Sequence, residues 1–171
     1  IYVSDTSNHR VMKWGTTYSD GGTLVAGVTG SAGSGANQLY NPTGLDVDSS
    51  GNIYIADYQR HRIMKWAPGA STGTMVAGTG SNGSGTNNLY YPRDVDVDAS
   101  GNIYVADRNN HRVMKWGTTY ADGGTIVAGT GTAGSGATQL NNPQKIHVDS
   151  SGNIYVSDTS NHRVMKWGTT Y

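Results

Sequence analysis

An aspartate, a histidine and an arginine recur with one fixed spacing throughout the sequence. The sets are Asp5/His9/Arg10, Asp57/His61/Arg62, Asp107/His111/Arg112 and Asp158/His162/Arg163. A carboxylate that orients an imidazole is a pairing suited to general acid–base catalysis. A catalytic site is normally needed once, however, whereas this set is present in every copy of a repeat. The recurrence therefore indicates a structural role, in which the aspartate caps a turn and pairs with the arginine or the histidine.

A second pattern of chemical interest is the alternating run Asp94, Asp96 and Asp98. Closely spaced carboxylates are typical of calcium loops. The helix–loop–helix calcium site also requires a glycine at position six and a glutamate at position twelve, and Val105 stands where that glutamate is needed. Turn capping and the lining of a channel explain the three aspartates better than calcium does.

The composition limits the classes of partner and of fold. The 12 basic and 12 acidic residues cancel, which argues against nucleic acid and anionic membranes as partners. No apolar run approaches the roughly 18 residues of a membrane helix. Cysteine is absent, so there is no disulfide framework and no thiolate site. All acidic residues are aspartate and glycine is abundant, a composition that favours turns over helices and predicts an all-β fold.

The elements that position these residues belong to one repeating unit. The segment IYVSDTSNHRVMKW, residues 154–167, returns at residues 1, 53 and 103, which gives a period of about 51 residues. Between Pro92 and Asn142, alternation and turn residues predict four strands per unit, named a to d. These strands are Asp94–Asp98, Ile103–Ala106, Arg112–Trp116 and Thr125–Ala128. Four short strands joined by turns are typical of a propeller blade.

The order of the strands along the chain predicts incomplete blades at both ends. We predict a partial blade of strands b, c and d at 1–41, blades at 42–91 and 92–142, and a partial blade of strands a, b and c at 143–171. Residues 1–18 are identical to residues 154–171. This recurrence predicts that the chain is a segment of a longer tandem array and that it associates with further copies, since repeat arrays need closed or capped ends.

The repeated motif resembles the NHL repeat. The similarity rests on the run P-x-x-V-D-V-D-x-S-G-N-I-Y-V-A-D-x-x-N-H-R-V-x-K-W, in which Asn-His-Arg at Asn8, Asn110 and Asn161 corresponds to the family's Asn-His-Leu-type signature. The resemblance implies four-stranded blades, usually six to a closed propeller, that serve mostly as interaction platforms. Some propellers of this type carry a metal-dependent lyase site. The unit here is longer than is usual for the family, with the excess in Gly/Ser/Thr-rich loops.

Positions at which the units differ are the best candidates for a specific function. Alignment on the proline that opens strand a places Asp46, Asp96 and His147 at one position. In a propeller strand a lines the central channel, so these three side chains are candidate ligands for calcium or zinc. Gly44, Asp94 and Lys145 share a second position. The expectation for Asp46, Asp96 and His147 is polar lining rather than a metal site.

Variable turn and strand residues are candidate contacts for a protein or glycan ligand. They are Tyr58, Arg60, Arg93, Arg108, Gln144 and Lys145. Loops on a rigid scaffold often carry recognition, although neutral drift at solvated turns explains the variation equally well. The tryptophan that ends each strand c is expected to pack between blades. Asn82, in Asn82-Gly83-Ser84, is a possible glycosylation site.

The sequence therefore favours a non-catalytic structural or interaction protein that assembles into a larger propeller or a filament, in an extracellular setting. Two alternatives remain. One is a closed six-bladed platform for a protein or glycan. The other is a metal-dependent lyase or hydrolase built on Asp46, Asp96 and His147.

Overall fold

The computed structural model describes residues 1–17, 19 and 21–168, which form four antiparallel sheets. The first sheet contains β1 (Tyr2–Asp5), β2 (Arg10–Trp14) and β3 (Gly22–Gly27). The second contains β4 (Pro42–Val47), β5 (Ile53–Asp57), β6 (Arg62–Trp66) and β7 (Thr74–Gly78). The third contains β8 (Pro92–Val97), β9 (Ile103–Asp107), β10 (Arg112–Trp116) and β11 (Thr125–Gly129). The fourth contains β12 (Pro143–Val148), β13 (Ile154–Asp158) and β14 (Arg163–Trp167). The all-β fold class predicted from the sequence is confirmed.

Every sheet is a meander in which each strand pairs with its neighbour in sequence. In the third sheet, for example, the spatial order is β8, β9, β10 and β11. Strand a begins two residues earlier than predicted, because Pro92 pairs with Asp107 across a bulge that ends at Asp94. A proline is tolerated at the first residue of a strand, where its missing N–H removes no ladder bond. None of the described residues forms a helix long and apolar enough to cross a membrane.

The two turns of each unit differ in how they are built. In the a–b turn, Asp98 Oδ1 accepts hydrogen bonds from the amides of Ser100 (3.0 Å) and Asn102 (2.9 Å), as the capping interpretation predicts. The b–c turn is a single 3₁₀ turn, Arg108–Asn110, that ends at His111 in the left-handed conformation with φ 51°. Asp107 does not cap this turn with its side chain, so that part of the prediction is wrong. Its carboxylate is used by other partners.

The hydrophobic core lies between the sheets, not within any one of them. Between the second and third sheets, Ala56, Ile63 and Leu89 pack against Val105 and Trp116. The corresponding faces of the other neighbouring sheets make two further clusters of the same kind. Each fully buried valine, leucine, isoleucine or methionine side chain contributes roughly 1.5–3 kcal/mol to stability. Because the tryptophans of the two inner sheets are almost inaccessible to solvent, Trp66 at 1% and Trp116 at 0%, the prediction that they pack between blades is confirmed.

Candidate functional site

Strand a of three neighbouring sheets lines an open channel of about 800 Å³. Strands β4, β8 and β12 lie side by side there. The lining comprises residues 45–50, 94–101 and 145–148. The lining therefore includes Asp46, Asp96 and His147 of the first predicted set and Asp94 and Lys145 of the second, whereas Gly44 lines a smaller pocket.

Two aspartates of the channel connect successive sheets. Asp46 accepts a hydrogen bond from the Val97 amide, and Asp96 accepts one from the Val148 amide, both at 2.8 Å. Each carboxylate thereby satisfies an amide on the next strand a. Burial raises the pKa of Asp96, and the negative charge of Asp46 raises it further. These two carboxylates are thus already engaged in holding neighbouring sheets together.

His147 lies beside Asp96, with Nδ1 3.2 Å from Oδ2, and its side chain is 71% exposed. The structure thus places Asp46, Asp96 and His147 on adjacent strands, as predicted. Among the described residues, however, no group of three or more His, Cys, Asp or Glu side chains has an arrangement that could hold a metal ion. Calcium or zinc binding at these positions stays a prediction.

The second set of strand-a positions forms an ion pair next to a glycine. Lys145 Nζ lies 2.9 Å from Asp94 Oδ1, and the Ile146 amide donates to Asp94 Oδ2 at 3.1 Å. Burial raises the pKa of Asp94, while the hydrogen bond from Lys145 opposes the shift. A β-carbon at Gly44 would overlap Asp94, so the smallest residue is required there.

The b–c turns and the first residues of strand a lie at one end of the blades, which we call the turn face. This follows from the register, in which Pro92 pairs with Asp107. On the turn face the Arg93 guanidinium lies 5.6 Å from the centroid of the Tyr58 ring. Arg108 Nη1 donates to the Tyr58 hydroxyl at 3.4 Å. The structure therefore brings together three of the residues predicted as ligand contacts.

The remaining predicted contacts are distributed around this group. Lys145 and Arg93 line one small pocket of about 200 Å³. Arg60 lies over the Tyr40 ring at 5.2 Å, and its Nε is buried without a hydrogen-bond partner among the described residues. Gln144, in β12, takes part in none of these contacts. Asn82 is exposed in the linker before β8, and its glycosylation stays a prediction.

The role of Tyr91 was not predicted from the sequence. Its ring stacks on Tyr58 and on Tyr90, with centroids 4.8 and 5.0 Å away. Tyr91 has φ 53°, a conformation that asparagine adopts at the equivalent positions Asn41 and Asn142. A tyrosine is less tolerant of positive φ than asparagine is. The signal for this role was present in the sequence, because tyrosine replaces asparagine before the proline of strand a in this unit alone.

The Asp, His and Arg set forms a structural clasp. Asp107 Oδ2 pairs with Arg112 Nε at 2.8 Å, and Asp107 Oδ1 accepts the Tyr90 amide at 2.7 Å. His111 Nδ1 instead accepts the amide of Asn142, in the next linker, at 3.2 Å. The imidazole is therefore not oriented by the carboxylate, and its Nδ1 is occupied by a backbone amide. This geometry agrees with the structural interpretation of the set.

The clasp aspartates of the inner sheets differ from that of the last sheet in the direction of their pKa shift. Burial raises the pKa of Asp57 and Asp107, although hydrogen bonds from the arginine and from a linker amide oppose it. Burial also acts on Asp158 in the last sheet. There the hydrogen bonds from Asn161, the Asn141 amide and Arg163 together outweigh it, and the pKa is lowered.

The architecture is that of neighbouring blades of a β-propeller, each formed by a meander and packed face to face. The model of the NHL repeat matches residues 39–66, 89–116 and 140–167. The chain therefore contains three NHL repeats, as the resemblance indicated. Among proteins with curated descriptions, none matches the sequence.

Solved structures share the fold at low sequence identity. An auxiliary nutrient binding protein from Bacteroides thetaiotaomicron has a TM-score of 0.69 at 19% identity, covering 96% of this chain and 44% of its own. A similar protein from Bacteroides ovatus has a TM-score of 0.67 at 20% identity, with 96% and 44% covered. A gluconolactonase from Xanthomonas campestris has a TM-score of 0.69 at 17% identity, with 99% and 54% covered. The chain thus spans about half the length of these proteins.

Proposed function

We propose that this protein is a non-catalytic repeat scaffold whose two end sheets dock head to tail with further copies of the chain, building a larger propeller or a filament. One observation carries the proposal. Side chains that are buried where two sheets face each other are exposed at the equivalent positions on the outer faces of the first and last sheets. Ile1 is 81% exposed, whereas Ile53, Ile103 and Ile154 are 4%, 5% and 1% exposed.

The outer face of the first sheet is an apolar surface without a neighbour among the described residues. Ile1, Val3 and Trp14 line a cavity of about 340 Å³ there. In the second sheet the equivalent residues are Ile53, Ile55 and Trp66, which pack against Val11, Ala26 and Leu39 of the preceding unit. A surface like that of Val11, Ala26 and Leu39 would therefore cover the first sheet, and the chain itself contains surfaces of this kind.

The outer face of the last sheet presents that complementary surface. Val164 is 70% exposed, whereas its equivalents Val11, Ile63 and Val113 are fully buried. On docking, Val164 would pack against Ile1 and Val3 of another copy. This contact between strands c and b would repeat the one that Val11 makes with the second sheet. The two faces differ, so the contact is heterologous. Such contacts generate rings if the rotation closes and filaments if it does not.

The test is sedimentation velocity of the 171-residue chain over a concentration series, with one variant on the docking face. We expect concentration-dependent association of the wild type and its loss in Val164→Lys, because a lysine cannot be desolvated at an apolar contact without a partner. Ile126→Lys is the matched control. Ile126 is 48% exposed but belongs to β11, in an inner sheet, so this variant should associate like the wild type.

Two results would contradict the proposal. One is a monomeric wild type throughout the series, and the other is unchanged association of Val164→Lys. Electron microscopy of the associated species then separates the two forms of assembly. Fibres indicate a filament. Discs indicate a closed propeller and favour the alternative of a platform for a protein or glycan.

A further inference from the structure

The arginines of the chain fall into two groups. Arg10, Arg62, Arg112 and Arg163 each pair with an aspartate of the clasp. Arg60, Arg93 and Arg108 make no salt bridge with any described residue. All three lie on the turn face of the second and third sheets, where no other unit has a basic residue at the equivalent position. An uncompensated guanidinium group favours an anionic partner from outside the chain.

A small pocket lies beside Arg93, one of these three arginines. It has a volume of about 200 Å³ and is lined by Thr6, Thr43, Gly44, Arg93 and Lys145. The N–H groups of Arg93 have no hydrogen-bond partner among the described residues, and Lys145 uses one donor on Asp94. Gly44 contributes backbone only, and Asp94 occupies the space that a β-carbon there would need. The pocket therefore combines a free planar cation, an ammonium group and room for a small ligand.

Aromatic packing fixes the position of Arg93. Its guanidinium lies over the Tyr58 ring, which stacks on Tyr91 on the turn face. Arg108 donates to the Tyr58 hydroxyl and to Asn109 Oδ1 at 2.9 Å. Tyr91 has a positive φ, and the equivalent positions with the same conformation, Asn41 and Asn142, are asparagines. The equivalent residues share this conformation, but only here is it adopted by a residue that disfavours it, and backbone strain of this kind is typical of functional sites.

We propose that this pocket binds an oxyanion carried by a small acid, with Arg93 and Lys145 as its ligands. A carboxylate, a phosphate and a sulfate all accept the bidentate hydrogen bonds that a guanidinium donates. Tyr58 and Tyr91 are positioning residues for Arg93. The site is independent of the proposed assembly, because every residue in it belongs to one chain.

The first measurement is an NMR titration that observes the arginine Nε–H signals of the wild type. Sodium phosphate, sodium sulfate and sodium glucuronate are added separately, at constant ionic strength set with sodium chloride. We expect a saturable shift of the Arg93 signal with at least one of the three. The anion that saturates at the lowest concentration identifies the chemical source. The clasp arginine Arg163 should not respond.

The second measurement compares variants by calorimetry with the tightest of the three anions. Loss of a charged hydrogen-bond partner should make Arg93→Ala bind at least about tenfold more weakly. Gln144→Ala, next to Lys145 on β12, should bind like the wild type. Tyr91→Asn introduces the residue found at both equivalent positions, so it should fold while binding several-fold more weakly.

Three results would overturn the proposal. They are equal affinity of Arg93→Ala and the wild type, equal weakening in Gln144→Ala, and shifts that stay linear and affect all arginines alike. If Arg93→Ala fails to fold, as judged by circular dichroism, the wild-type titration still decides. A saturable response confined to Arg93 supports the site, and a non-saturable one refutes it.

Discussion

Substitution of Arg112 by alanine should destabilise the protein far more than the same substitution at Arg10. Arg112 is 5% exposed and donates to Asp107 Oδ2 and to the carbonyl oxygens of Ser84, Gly85 and Asn88 at 2.8–3.1 Å. It therefore fixes the linker before β8 to the third sheet. Its removal leaves the fully buried Asp107 without its cation.

The expected magnitude follows from this burial. Removing one partner of a buried ion pair costs about 3–5 kcal/mol, since the other charge stays buried and uncompensated. Arg10 forms the same pair with Asp5, but the two side chains are 25% and 27% exposed. Exposed pairs contribute at most about 1 kcal/mol. We therefore expect a difference of about 2–4 kcal/mol between the two variants.

Urea unfolding followed by tryptophan fluorescence measures this difference, because Trp66 and Trp116 are buried. In a chain of this size, Arg112→Ala should also lower Tm by roughly 6–20 °C, at about 2–4 °C per kcal/mol. Both variants should be studied at a concentration where the wild type is monomeric. Equal losses in Arg112→Ala and Arg10→Ala would refute the reasoning, because burial would then not determine the strength of the clasp.

Two further predictions concern the turns and the strand ends. Burial lowers the pKa of His61 and His111 below the ordinary value of 6.5, and Nδ1 of each accepts a backbone amide. Below pH 6.5 the unfolded chain therefore binds more protons than the folded chain does. The stability that the two neutral histidines contribute is fully present above pH 6.5 and is lost as the pH falls through their lowered pKa. A Tm that stays constant from pH 7.5 to 5 would contradict this prediction. Gly129 has φ 77°, and the backbone of His111 and Arg112 leaves no room for a β-carbon there. Gly129→Ala should therefore lower Tm. Gly117→Ala should not, because the space around Gly117 is open.

Local patterns predicted the strands well. Strand β10, Arg112–Trp116, has the predicted bounds, whereas strand β8, Pro92–Val97, starts two residues and ends one residue before the predicted strand. Alternation of apolar and polar residues is a local property, so it is visible without the fold. The bulge at Asp94 was not predicted, because it depends on the pairing of Pro92 with a partner strand.

The partners of the clasp and of the turn face were harder to predict. Asp107 was expected to cap its own turn, but its carboxylate accepts the amide of Tyr90, which lies 17 residues earlier in a linker without periodicity. Tyr58 and Tyr91 meet because the second and third sheets pack face to face. Contacts of this kind depend on which loops lie side by side once the sheets have packed. The spacing of residues within one unit carries no information about that arrangement.

The meander of every sheet has a consequence for how such a gene can change. Among the described residues no ladder hydrogen bond joins strands of different sheets, so each unit of about 51 residues carries the strand pairing of its own sheet. Unequal recombination that inserts or deletes one whole unit leaves every ladder intact and restores the same type of face between the new neighbours. The number of units can therefore change in single genetic steps, and the length of the protein changes in multiples of one blade.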